Sequence, residues 1–336
     1  MRPARDAERP RPARVVVPTA KMPHDASGVH ELLRTLGVVP SKGWGQSFLT
    51  DPFVADAEAA LVAARTGPVV EVGGGLGMLT NALVRRGLAP LTVIERDPRL
   101  AAFLRRTFDE RVRLVRGDAL EVPVDPNATY VGNLPYSVAS PLLMRLMAAR
   151  VPRIVFLVQR EVAERLAAGP GSKAYGRPSI LARLYGRTEL MQIVPPEAFA
   201  PRPRVESRLA VFDGRPGELP VPSVPELERV VRILFSSRRK QLGNLLPRIA
   251  PGRVAAEELA RAASWPEGWA HERPEDRTPE EYFALARAMT GLDDRLDRGL
   301  AKALGTHRER GDQEHDPDQG HREDERRAER RRKVVG

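Results

Sequence analysis

The sequence predicts a doubly wound α/β domain followed by a small all-helical one. Three observations predict it. Short β-branched runs alternate with helical periodicity from Pro68 to Val158, the polar motifs fall at the ends of those runs, and beyond Pro225 only helical spacing remains. Strand–helix alternation of this kind favours a largely parallel sheet with helices packed on it, and places a ligand at the C-terminal ends of the strands.

Taken in order, residues 1–28 are rich in Pro and Arg with little periodic pattern, and are expected to form a flexible basic arm. Strands are expected over Pro68–Val72, Leu91–Ile94, Val112–Val115, Thr129–Gly132 and Ile154–Val158. Helices are expected over Leu76–Arg86, Asp97–Phe108 and Pro141–Ala149. Pro220, Pro222 and Pro225 punctuate the junction to the second domain, and the α/β part is taken as 29–221 and the helical part as 222–292. Within the latter, Leu227–Phe235, Lys240–Leu246, Val254–Ala263 and Pro279–Met289 read as helices. From about 295 the chain loses large apolar residues and His307–Lys333 is almost entirely Arg, Glu, Asp, Gln and His, so 293–336 is expected to be a charged, disordered tail with too little apolar surface to offset its ordering entropy.

The 336 residues are 42% hydrophobic, enough to bury a sizeable core, and carry a formal net charge of +10 that suits a polyanionic partner. With no cysteine, disulfides, a Cys nucleophile and a Cys-based zinc site are excluded, and no metal is expected. No apolar run is long enough to span a bilayer and Met1–Arg14 lack an apolar signal core, so a cytoplasmic protein without membrane association is expected.

Glu71-Val72-Gly73-Gly74-Gly75-Leu76-Gly77 follows the first strand and opens a helix. Glycines let a backbone approach a ligand closely, although a tightly packed turn reads the same way. The Gly-x-Gly-x-Gly spacing is shorter than the dinucleotide form, and Glu71 would repel a pyrophosphate yet tolerate a cationic cofactor. Glu95 ends the second strand, where an acid accepts from ribose hydroxyls, and Asp118 follows the third, placed for an adenine amino group. Together these acids fit S-adenosylmethionine better than NAD.

Asn133-Leu134-Pro135-Tyr136 follows the fourth strand. An exocyclic adenine nitrogen attacks a sulfonium methyl only if its lone pair is turned out of conjugation. The Asn133 side-chain oxygen and the Leu134 carbonyl are suited to accept its two N–H bonds. Pro135 stiffens the turn and Tyr136 offers a stacking face. Taken alone, an Asn-Pro turn would account for these residues equally well.

With these motifs in place the chain resembles the rRNA adenine N6-dimethyltransferases of the small-subunit (KsgA and Dim) type, over about residues 40–290. Gly45-Gln46-Ser47-Phe48-Leu49 resembles the family's opening motif, with Ser47 where the family has Asn or His. Gly171–Arg177 resembles the stretch after the fifth strand, and Phe199-Ala200-Pro201-Arg202-Pro203-Arg204-Val205-Glu206-Ser207 resembles Phe-x-Pro-x-Pro-(Lys/Arg)-Val-x-Ser. Phe235-Ser236-Ser237-Arg238-Arg239-Lys240 with Asn244 resembles a helical motif that contacts rRNA.

The resemblance implies a Rossmann-like class I S-adenosylmethionine-dependent methyltransferase fold with a small C-terminal all-helical domain. It implies cofactor contacts at Gln46, Ser47, Leu49, Glu71, Gly73, Gly75, Gly77, Glu95, Asp118, Ala119 and Asn133. Catalysis would fall to Asn133, Leu134, Pro135 and Tyr136, with Phe199 as the other wall of the base pocket. RNA contacts are implied at Lys173, Arg177, Arg202, Arg204, Arg238, Arg239 and Lys240. The implied activity is dimethylation at N6 of two adjacent adenines in the 3′-terminal hairpin loop of small-subunit rRNA, by a monomer acting on the pre-small ribosomal subunit. A large-subunit rRNA adenine methylase, a ribosome-assembly checkpoint with secondary methylation and a small-molecule methyltransferase stay open as alternatives.

Overall fold

The computed structural model describes residues 22–40, 46–250 and 253–291. In chain order the strands are β1 (Phe48–Leu49), β2 (Val69–Val72), β3 (Leu91–Glu95), β4 (Arg113–Arg116), β5 (Thr129–Asn133), β6 (Arg153–Gln159), β7 (Gly186–Val194), β8 (Phe199–Ala200) and β9 (Ser207–Gly214). The helices are α1 (Ala26–Thr35), α2 (Pro52–Ala63), α3 (Met78–Arg85), α4 (Pro98–Phe108), α5 (Tyr136–Ala148), α6 (Arg160–Ala167), α7 (Arg177–Tyr185), α8 (Val224–Phe235), α9 (Leu242–Leu245) and α10 (Arg253–Ala262), with α11 over 279–291.

Seven strands form one sheet in the order β4-β3-β2-β5-β6-β9-β7. β4 to β6 run parallel along that order, and β9 and β7 continue it antiparallel. The chain winds outward from β2 to β4, then returns to the other side of β2 at β5, which makes the β2/β5 boundary the switch point where such sheets open a crevice. Side chains alternate across the sheet. Val69, Val93, Val131 and Val155 pack with α2, α3 and α4, while Val70, Val72, Tyr130, Ile154 and Phe156 pack with α5 and α7. Glu71 and Asn133 each lie two residues beyond a position on the α2/α3 face and so share it.

β1 and β8 form a separate antiparallel pair, with Phe48 opposite Ala200 and Leu49 opposite Phe199. Two motifs about 150 residues apart in sequence are thereby zipped together, a distance in chain that local patterning does not report.

The expected elements are found with three departures. The helix expected from Pro141 starts at Tyr136, leaving Pro141 inside it. Leu142, Leu143, Leu146 and Met147 are buried at 0–1% exposure, and this packing outweighs the missing N–H and the ring contact in the second turn. The helix expected over Lys240–Leu246 is only α9, preceded by a turn closed by Lys240 N–H to Ser237 carbonyl (2.8 Å) and followed by a 3-10 turn at Pro247. The arm expected to run to residue 28 ends earlier: α1 starts at Ala26, capped by Asp25 accepting the Gly28 N–H at 2.7 Å. Residues 1–21 of that arm, and the tail expected over 293–336, lie outside the described residues.

α8 opens where the sequence places the junction, with Ser223 as its N-cap. The helical part has no separate core: Leu227, Val230, Leu245 and Leu285 belong to the same buried cluster as Leu142 and Phe156 of the α/β part. Tyr175, Phe235 and Tyr282 join the two parts through ring contacts of 6.1 and 5.8 Å. Among the described residues no helix is long and apolar enough to cross a membrane.

Candidate active site

A cavity opens at the C-terminal ends of β2, β3 and β5, at the switch point. Gln46, Ser47, Leu49, Glu71, Gly73, Gly75, Glu95, Asp118, Ala119, Asn133, Leu134, Pro135 and Phe199 all line it. These thirteen positions come from six separate stretches of sequence, so their convergence on one cavity is a property of the fold rather than of any one motif.

Gly73 and Gly75 have φ of 79° and 55°, a region that a side chain rarely adopts, and their backbone forms the cavity floor after β2. Gly77 does not reach the cavity. It begins α3 at φ 84°, and a Cβ there would meet Phe108 at 2.8 Å, so its role is close packing against α4 rather than contact with a cofactor.

Glu95 is held by two backbone donors: Asp97 N–H reaches one oxygen at 2.8 Å and Gly75 N–H the other at 2.9 Å. Burial pushes its carboxyl up from the ordinary range and these donors pull it back. Asp118 accepts from Leu120 N–H at 2.9 Å and pairs with Arg96 at 3.1 Å. Its loop is braced by Arg145 of α5, which donates to the carbonyls of Ala119 and Val122, both at 2.9 Å. Ser47 donates its hydroxyl to the Pro201 carbonyl at 2.6 Å, tying the opening motif to the stretch after β8.

Glu71 is 1% exposed and accepts from the Thr80 hydroxyl at 2.7 Å. Burial pushes its pKa up to about 8, opposed by the Thr80 bond and reinforced by Glu95. At neutral pH it is therefore largely a carboxylic acid while no cation lies beside it, which changes the expectation of a fixed negative charge.

Asn133 ends β5, with Leu134 N–H donating to the Leu157 carbonyl at 3.0 Å. Pro135 turns the chain at φ −56°, ψ 140°, and its carbonyl takes the N–H groups of both Val138 and Ala139 at 3.0 Å. The first turn of α5 thus bonds to Pro135 rather than back to Leu134. Phe199, at 7% exposure, stands on the cavity wall. Tyr136 opens α5, and its side chain is outside the described set.

One residue at the site escapes the sequence reading. Glu58 of α2 is fully buried, and the Asn133 carboxamide lies against its oxygens at 2.8 and 3.2 Å; the amide orientation that satisfies both groups is the one in which its nitrogen donates to them. The available signal was a lone acid on the stripe Val54, Ala55, Ala59, Val62 that α2 buries.

The basic residues expected to meet RNA divide. Lys173, Arg204, Arg239 and Lys240 are exposed. Arg177 pairs with Glu228 at 3.8 Å and Arg202 with Glu197, both at the surface, where such pairs are weak and a phosphate can displace them. Arg238 departs from the expectation. Its guanidinium bonds Glu275 and donates to the carbonyls of Lys173 (2.7 Å) and Ser172 (2.9 Å), so its donors are committed to holding the protein together.

Acids after β3 and β4, a glycine loop after β2 and an Asn before a Pro turn thus meet in one cavity. The model of the ribosomal RNA adenine dimethylase family matches residues 41–261, about two thirds of the chain. The chain belongs to the ribosomal RNA adenine dimethylase family. It is an rRNA adenine-N6,N6-dimethyltransferase, and its methyl donor is S-adenosylmethionine.

Among relatives, "Ribosomal RNA small subunit methyltransferase A" of Acidothermus cellulolyticus is 40% identical over 291 residues, covering 79% of this chain and 94% of its own. The "Probable ribosomal RNA small subunit methyltransferase A" of Haloquadratum walsbyi is 38% identical over 262 residues, covering 76% and 88%. In fold, this dimethylase is similar to a dimethyladenosine transferase from Plasmodium falciparum (TM-score 0.60, 21% identity, covering 71% of this chain and 95% of that one). It is also similar to the 23S rRNA methyltransferase ErmE (TM-score 0.56, 24% identity, 72% and 98%).

The residues present fit the donor. Two acids with free lone pairs face the cavity from β3 and the loop after β4, and a third, Glu71, is poised to ionise beside a cation.

Proposed function

We propose that this dimethylase acts on the small ribosomal subunit, placing two methyl groups on N6 of each of two adjacent adenines in the 3′-terminal hairpin loop of its rRNA. In this reading it works as a cytoplasmic monomer and takes part in small-subunit biogenesis. The observation that carries the reading is the identity of 38–40%, over most of both chains, with relatives named for the small subunit.

The donor supplies an electrophilic methyl on a sulfonium. Glu95 holds the ribose, Asp118 the adenine amino group, and the backbone from Gly73 to Gly75 with Gln46, Ser47 and Leu49 holds the remainder. The target adenine leaves its stack and enters between Tyr136 and Phe199. Asn133 Oδ1 and the Leu134 carbonyl accept its two N6–H bonds, turning the nitrogen lone pair toward the methyl. The carbonyl is suited to this because the first turn of α5 bonds to Pro135 instead. No strong base is required, since N6 becomes acidic once alkylated. The helical part over 222–292 and the exposed cations Lys173, Arg204, Arg239 and Lys240 grip rRNA phosphates.

The test is incubation with labelled S-adenosylmethionine and unmethylated small or large subunits, followed by mapping of the modified base. Label on adjacent adenines of the small subunit is expected, and label confined to the large subunit would sink the reading. Asn133→Ala should lower transfer by roughly a thousandfold or more while cofactor affinity stays within about twofold.

A further inference from the structure

Glu58 sits where a carboxyl is costly. It occupies the buried stripe of α2 at 0% exposure, between Ala55 and Val62, with the carboxyl of Glu71 as its ionisable neighbour. Among the described residues its carboxyl has one hydrogen-bonding partner, the Asn133 carboxamide. An aliphatic side chain of similar volume would pack there without desolvating a charge, so folding alone gives no reason for an acid.

The bond has a direction, and the direction matters for chemistry. Asn133 has one group that accepts and one that donates, and only the acceptor can receive a proton from an adenine N6 amino group. A carboxylate at Glu58 accepts only. An ionised Glu58 is therefore satisfied only when Asn133 is turned with Nδ2 toward α2, 2.8 and 3.2 Å from the two oxygens, which leaves Oδ1 on the cavity side. A neutral group that both donates and accepts would let the amide turn over and present N–H to N–H, which blocks the base.

We propose that Glu58 is a positioning residue for methyl transfer, fixing the Asn133 carboxamide with its oxygen toward the target amine. The proposal rests on the reading of Asn133 as the N6 acceptor. Burial, and then the nearby Glu71, raise the Glu58 pKa well above its ordinary value, while the bond from Asn133 lowers it. With the cavity empty these effects favour the neutral acid; a cation in the cavity shifts Glu58 toward the carboxylate, and it is the carboxylate that orients Asn133.

The experiment measures kcat and KM on unmethylated small subunits, cofactor affinity and thermal unfolding for the wild type, Glu58→Gln, Glu58→Leu and Asn133→Ala. Gln keeps shape but accepts either amide orientation, so kcat should fall about tenfold or more, with KM and cofactor affinity within about twofold. Leu removes the partner and the buried charge together. Its kcat should fall further, toward that of Asn133→Ala, while its melting temperature stays level or rises. A structural role predicts the opposite, with activity, cofactor binding and melting temperature falling together, and that pattern overturns the proposal. So does wild-type kcat in either Glu58 variant. If the wild type itself places no label on small-subunit adenine, the function reading fails first; if it does and the Glu58 variants match it, only the role of Glu58 fails.

Discussion

At the scale of single residues, Glu71 is the group whose behaviour sequence alone does not disclose. Its type and place before the glycine loop were legible, as were Glu95, Asp118 and Asn133, because each ends a strand that patterning marks. Its protonation was not, because that depends on burial beneath α3 and on the Thr80 hydroxyl, which the chain supplies nine residues later. Unfolded, this carboxyl titrates near 4.5; folded, near 8. The folded state therefore binds the extra proton between those values, and its contribution to stability is fully present below about 4.5 and falls as pH rises toward 8. A bound cation reverses the preference and expels the proton. Cofactor affinity is expected to rise with pH from 6 to 8, by up to about tenfold per unit, and then level off. Glu71→Gln should flatten that dependence, weaken binding at pH 8 and make the empty protein more stable there. Calorimetric titration across pH checks this, and a pH-independent affinity in the wild type would rule it out. Glu58 was hidden for a related reason: only the packing of α2 against β5 reveals that an acid on a buried stripe faces Asn133.

At the scale of elements, β2 to β6 and the helices α3 to α5 between them were legible, whereas α1, α2, α6, α7, β7, β9 and the remote pairings were not. β2 to β6 sit within a residue or two of their expected bounds. The β1–β8 ladder has two residues on each side and no local signature, so the meeting of Leu49 with Phe199 emerges only in the fold. In the turn between α8 and α9, residues of one sequence motif take different places in the fold. Arg238, Arg239 and Lys240 look alike in sequence, yet Arg238 clasps Ser172, Lys173 and Glu275 while its neighbours face solvent. The clasp ties the backbone at Lys173 to the residue next to Arg239, joining two stretches about 65 residues apart. Arg238→Ala is expected to cost roughly 1–3 kcal/mol of stability, since it leaves two carbonyls and a half-buried carboxylate without their donor. Arg239→Ala and Lys240→Ala should stay within about 0.5 kcal/mol while weakening rRNA binding. Denaturant unfolding of the three variants beside filter binding separates the two roles, and equal stability losses in all three would contradict the division.

At the scale of the whole molecule, two regions of opposite electrostatic character share one continuous core. The cofactor cavity is lined by acids, whereas the chain as a whole carries +10. Because Leu227, Val230 and Leu285 pack into the cluster that also holds Leu142 of α5, the helical part is rigidly seated relative to the catalytic turn. In the proposed function, a grip on rRNA at Lys173, Arg239 and Lys240 would therefore set where an extruded base meets Asn133. This separation makes a quantitative expectation for salt. Binding to unmethylated small-subunit rRNA should weaken steeply with salt, and each phosphate contact removed should lower the slope of log K against log salt by about 0.7–0.9. The triple variant Lys173→Ala, Arg239→Ala, Lys240→Ala should thus lose about 2–3 from the slope. Its cofactor affinity should stay within about twofold, since those cations are absent from the cavity lining. Fluorescence anisotropy from 50 to 300 mM salt, with the cofactor titrated in parallel, measures both. An unchanged slope in the triple variant would move the rRNA grip elsewhere on the molecule, and a flat salt dependence in the wild type would remove phosphate recognition from the account altogether.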